Sequence, residues 1–200
     1  VRNGFRWDRA TLELRPDRTV SGGGVVARRD IREGEVVVWI PKKGCLTYLT
    51  SSLSQRWRGP GSPMEGAPRH VRLTLCLLHE RSLGASSPWA DYLATVPSAE
   101  AGVPLTWTAE ERRNRLSGTE LEFFIPWKLG ELRREYDRHV APLVRCGALG
   151  GDAFSFAAYL GASTVVSSRS FAIDRAHGPG MVPFADLFNH CTGWENVHFT

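Results

Sequence analysis

The segment Met181–Thr200, MVPFADLFNHCTGWENVHFT, sets Asp186, Asn189 and His190 at fixed spacing inside an apolar run. Such a run folds inward, and an unpaired donor or acceptor carried in with it costs about 1–3 kcal/mol. These polar groups therefore need partners, which a capped turn or a ligand would supply. The Asn189 side chain presents a donor and an acceptor on one planar amide, a pattern suited to an ammonium or a carboxylate. A second candidate lies near the start, in SGGGVVARRDIREGEVVVWIP, where Gly22 and Gly23, beside the small polar Ser21, offer backbone bare of side chains. Glycine lets a ligand approach the main chain closely, although an ordinary β-turn uses the same residues. A third is ASTVVSSRSF, which places Arg169 upstream of Asp186. The two charges could lie beside a ligand or form a bidentate pair joining two segments.

Gly22-x-Gly24-x-x-Ala27 imitates the spacing of a dinucleotide-binding fingerprint. That fingerprint needs a helix to start at the glycines, so that its amides meet a pyrophosphate. Here Val25-Val26, a charged turn and another β-branched run follow, which excludes it.

In this order, Ser21 to Ala27, Ser168 to Phe171 and Val182 to His190 resemble the SET-domain methyltransferases of the Rubisco large-subunit lysine methyltransferase type. VPFADLFNH is the specific part. The resemblance implies an α+β fold, a small SET β fold interrupted by a helical insertion. It also implies S-adenosylmethionine as cofactor and methylation of lysine in a non-histone protein. By the same resemblance Ser21, Gly22, Gly23, Asn189 and His190 lie against the cofactor, His190 largely through its backbone. Arg169 and Asp186 lie beside the cofactor or the target lysine. Ser21 and Gly23 stand where relatives often carry an acidic and a bulkier residue. Relatives of this type also modify histidine, and a SET-like binding module without turnover is the alternative from another class.

Methyl transfer from a sulfonium asks for a held zwitterionic cofactor and a desolvated nucleophile aimed along the sulfur–methyl bond. Burial in a narrow channel favours the neutral amine that such a step requires. Enzymes that the chain resembles take a tyrosine near the reacting methyl from a later segment. Tyr48, Tyr92, Tyr136 and Tyr159 all lie upstream of the motif. Both ends read as cut, so a fragment truncated before the C-terminal part and not competent alone is expected.

Of the 200 residues, 42% are hydrophobic and 23% charged, as in ordinary globular proteins. Net charge is +4, with the basic residues dispersed, which argues against a nucleic-acid arm. Cys45, Cys76, Cys146 and Cys191 are far apart, so free thiols in a reducing compartment are expected. His190, Cys191 and His198 do not match usual zinc spacings, and no metal is expected. No run reaches the roughly 20 apolar residues of a membrane span. A protein substrate, a monomer and a cytoplasmic or nuclear location, with a plastid as the further option, complete the expectations.

The elements that must position these residues follow from periodicity. Residues 1–44 read as strands, with Leu12 and Leu14 alternating against polar neighbours and the runs Val25–Ala27 and Val36–Ile40 set to pair antiparallel. Residues 45–69 read as a Ser-, Gly- and Pro-rich surface loop within a mainly helical region, 45–170. Helices are predicted over 70–83, from Thr108 to Leu116 behind a capping box with Glu111, over 126–146 with a kink at Pro142, and after an Asp152 cap. Phe154, Ala157, Leu160 and Thr164 form the packing face predicted for the last of these. His79 reads as a satisfied histidine, and Trp89, Tyr92 and Leu93 as core anchors. Residues 171–200 close the SET part.

Overall fold

A computed structural model describes residues 4–15, 24–57, 61–190, 192–193 and 195–198. The chain forms two compact units, Val1–Cys45 with Val182–Thr200, and Leu46–Met181.

In the first unit β1 (Arg6–Trp7), β2 (Leu12–Arg15), β3 (Gly24–Ala27) and β4 (Val38–Trp39) form two antiparallel pairs. Strand β2 runs against β3, Leu12 opposite Ala27 and Arg15 opposite Gly24, and β1 runs against β4. This corrects the expected pairing of Val25–Ala27 with Val36–Ile40. The charged connection between those runs is a wide loop, closed by the ion pair of Arg29 with Glu35 and extended from β2 by Arg28 N–H donating to Thr11 O at 2.9 Å. Each run is thereby left free to take a partner from nearer the N-terminus.

The second unit holds β5 (Leu46–Thr47), seven helices among the described residues, and a hairpin of β6 (Ser170–Asp174) and β7 (Gly178–Met181). The helices are α1 (Ser52–Arg56), α2 (Arg69–Ser82), α3 (Ala90–Leu93), α4 (Ala109–Leu116), α5 (Leu121–His139), α6 (Ala141–Arg145) and α7 (Phe156–Arg169). Strand β7 is central in the sheet β5-β7-β6. Helix α2 is the core of this unit: Val71, Leu75, Cys76 and Leu77 are fully buried, and Trp89, Tyr92 and Leu93 pack with them as expected. Helix α4 has its Thr108–Glu111 capping box, whereas the long helix starts at Leu121 and breaks at Val140, ahead of Pro142. None of the described helices is long and apolar enough to cross a membrane.

Two further expectations are corrected. Helix α7 is capped by Ser155, whose side chain accepts from Ala158 N–H, and Asp152 begins a separate 3-10 turn. Its buried residues are Tyr159, Gly161, Ala162, Thr164, Val165 and Val166, while Ala157 is exposed. A helix apolar on almost every side gives periodicity no stripe to find. The 45–69 loop contains β5 and α1, because its serines serve a buried acid. Glu80, on α2 and 0% exposed, accepts from Ser51 Oγ at 2.8 Å, Ser52 N at 3.0 Å, Ser52 Oγ at 2.9 Å and Ser87 Oγ at 2.8 Å. With its hydroxyl proton on Glu80, Ser52 accepts from His79 Nε2–H at 3.0 Å.

Replacing Glu80 with Ala strands these donors and is expected to lower unfolding free energy by about 3 kcal/mol in urea titration, with Glu80→Gln losing less. Burial holds the His79 pKa below its ordinary value of 6.5. The unfolded chain therefore takes up this proton first, and His79 withdraws stability as pH falls from about 6.5 toward its folded-state value. Thermal melts of His79→Gln across that window are expected to fall less steeply with acid than those of the wild type.

Candidate functional site

Strand β7 delivers the chain to Val182-Pro183-Phe184-Ala185, which turns sharply: Ala185 N–H donates to Val182 O at 3.1 Å. Proline at the second position and a positive φ at the third are the signature of a type II turn, whose third position ordinarily takes glycine or asparagine. Here that residue is Phe184, with φ 77° and ψ −42°, the only non-glycine residue with positive φ among those described. Such a conformation costs about 1–3 kcal/mol and needs surrounding structure to enforce it. The enforcement is aromatic. The Phe184 ring lies 5.0 Å from that of Trp7 on β1 and 5.8 Å from that of Phe188.

From this turn the chain passes through a 3-10 turn, Ala185–Leu187, to Asn189 and His190. Asp186 sits half-buried in the 3-10 turn, with Oδ1 shielded from solvent. Asn189 and His190 are exposed, and the His190 ring shares a 2.9 Å hydrogen bond with Thr192 Oγ1. The histidine is therefore bonded but not packed, and its imidazole points to solvent rather than into a core.

Asn189 meets the glycine strand. A Cβ on Gly24 would lie 2.7 Å from Asn189 Nδ2 and 3.3 Å from its Cγ, so the amide rests where only glycine leaves room. The end of the glycine cluster and the Asn-His segment thus lie side by side within one unit. Ser21, Gly22, Gly23 and Cys191 lie outside the described residues. Gly24, part of the excluded dinucleotide fingerprint, is a glycine whose bareness the structure uses. Its position as the last of the triplet, next to a β-branched run, is the signal that could have singled it out.

In the second unit Arg169 ends α7 and leads into β6. A carboxylate that the sequence does not announce lies on its guanidinium: Glu100 Oε1 accepts from Nε at 2.5 Å, and Oε2 from Nη2 at 3.5 Å. Glu100 is itself placed by α7. Its N–H donates to Thr164 Oγ1 at 3.1 Å, and one turn earlier a Cβ on Gly161 would fall 2.7 Å from Ser98 O. Gly161, Thr164 and Arg169 thus clamp residues 98–100 along one side of the helix. The four tyrosines are structural in character. Tyr136 Oη donates to Phe154 O at 2.9 Å, Tyr159 is fully buried with its hydroxyl 3.3 Å from Glu135, Tyr92 is buried and Tyr48 half-buried.

Comparison with known proteins gives these elements a family. No family model matches the chain. A curated relative, N-lysine methyltransferase SETD6 of Mus musculus, is 33% identical over 210 residues, which are 93% of this chain and 43% of that protein. The solved SET domain of LSMT bound to methyl-lysine and AdoHcy superposes with a TM-score of 0.77 at 22% identity, over 97% of this chain and 43% of that one. The chain belongs to the SET-domain proteins of the Rubisco large-subunit methyltransferase type. An actin-histidine N-methyltransferase of Danio rerio is 32% identical over 184 residues, 86% of this chain and 30% of that protein. This SET chain spans under half the length of the curated relatives it matches.

The close approach of Gly24 and Asn189 makes a coupled pair. Gly24→Ala is expected to push the exposed Asn189 amide aside at a cost of about 0.5 kcal/mol in chemical denaturation. In an Asn189→Ala background, where the obstructing amide is gone, most of that cost should disappear from the double-mutant cycle.

Proposed function

We propose that the protein is an S-adenosylmethionine-dependent protein-lysine N-methyltransferase acting on a non-histone protein. The observation that carries this reading is the Asn189 amide against the bare backbone of Gly24. A cofactor with an amino-acid end and a nucleoside end needs small polar groups and unobstructed main chain within one short reach. That is what the first unit offers. The identity to N-lysine methyltransferase SETD6 and the likeness to an AdoHcy-bound SET domain support the same choice.

In this reading Ser21, Gly22 and Gly23, which lie outside the described residues, bind the cofactor as the family resemblance implies. Asn189 orients one charged end of the cofactor through its amide, and His190 contributes its backbone. S-adenosylmethionine supplies an electrophilic methyl group on sulfur when bound. Asp186 and, in the second unit, Arg169, which is tied to Glu100, are each assigned to substrate binding. The 32% identity to an actin-histidine N-methyltransferase favours a second reading, in which the same site presents its methyl to a histidine ring.

Calorimetric titration of the full-length protein with S-adenosylmethionine tests the cofactor assignment. Micromolar binding that weakens at least tenfold in Asn189→Ala is expected, about 1.4 kcal/mol or more. Absence of binding at millimolar cofactor would refute it. A methyl-transfer assay on peptides carrying either lysine or histidine then separates the two acceptors, and binding without turnover on either marks a non-catalytic module.

A further inference from the structure

Trp7 lies far from the motif in sequence, on a two-residue strand that no reading of catalytic groups would select. It nevertheless touches the one strained residue ahead of Asn189. Its ring and that of Phe184 are 5.0 Å apart at 45°, and Phe184 is 6% exposed. Phe184 passes the contact on to Phe188, ring centroids 5.8 Å apart at 58°. Phe188 immediately precedes Asn189, so three rings in tilted contact connect β1 to the backbone that carries the amide. Phe184 O also accepts from Leu187 N–H at 3.1 Å, which ties the strained residue to the 3-10 turn between them.

A glycine at position 184 would adopt the same φ without strain, yet it could support neither neighbouring ring. We propose that Phe184, wedged between Trp7 and Phe188, is a positioning residue that sets where the Asn189 amide stands against β3. The bulky side chain in a glycine conformation holds the direction of Ala185–Leu187, and Trp7 keeps it there. Neither ring has to touch the cofactor. Their effect on binding runs through the placement of Asn189, and loss of either lets the amide drift from Gly24.

This inference rests on the cofactor reading above, so the experiment includes a variant for each. The full-length protein and its Trp7→Ala, Trp7→Phe, Phe184→Gly and Asn189→Ala variants are titrated calorimetrically with S-adenosylmethionine. Trp7→Ala and Phe184→Gly are expected to raise Kd about tenfold at unchanged stoichiometry, and Trp7→Phe, which keeps a ring, to stay within about threefold. A purely structural role would instead lower the binding stoichiometry, as part of the sample unfolds, and leave Kd where it was. That result, or wild-type binding by both Trp7→Ala and Phe184→Gly while Asn189→Ala is impaired, overturns the positioning role and leaves the cofactor site standing. Wild-type affinity in Asn189→Ala overturns the cofactor reading and the inference with it.

Discussion

A strand can come within van der Waals reach of a side-chain amide only where it has no side chain of its own in the way. Gly24 meets that condition, with Asn189 Nδ2 in the space its Cβ would need. Two segments 165 positions apart in sequence therefore meet at a point where a Cβ on Gly24 would displace the Asn189 amide. The bare backbone by itself would be an ordinary turn, and the amide alone an exposed asparagine. Together they form a short polar edge within one unit.

The molecule supports this edge with packing of two different kinds. In the first unit a chain of tilted aromatic rings, Trp7–Phe184–Phe188, offsets the cost of a left-handed phenylalanine at the turn before Asn189. The rings meet in defined tilted geometries around the buried Phe184. In the second unit a buried carboxylate, Glu80, gathers serines from two loops onto α2. A fully satisfied polar network of this sort is rigid, because every alternative arrangement leaves a buried group without a partner. The same unit positions Arg169 through Glu100, so the basic residue of the SRSF segment is held at a fixed rotamer rather than free to sample solvent.

Much of this was legible in the residues. The Thr108–Glu111 box, the apolar stripe of α2 and the anchors Trp89, Tyr92 and Leu93 follow from local rules that tertiary structure had no reason to override. The VPFADLFNH segment carried enough specificity to name the fold. Pairing of the first strands was not legible, since Val25–Ala27 and Val36–Ile40 satisfy the same β pattern with any partner and the choice was made by the loop between them. Ser51 and Ser52 read as loop because the acid they bond to, Glu80, lies inside a helix that periodicity treats as apolar. The partner of Arg169 was hidden for a similar reason: Glu100 comes 69 residues earlier, in a connection without regular structure. Most informative is Phe184, where turn chemistry calls for glycine. The departure from the local rule falls in the turn that leads to Asn189.

The central claim is that the glycine strand and the Asn-His segment hold one ligand between them. A crystal structure of the full-length protein with S-adenosylhomocysteine tests it directly. The account predicts the nucleoside lying along the main chain at Gly24, with its amino-acid end within hydrogen-bond reach of Asn189. Density for the ligand at any site that leaves both Gly24 and Asn189 without contact would contradict it.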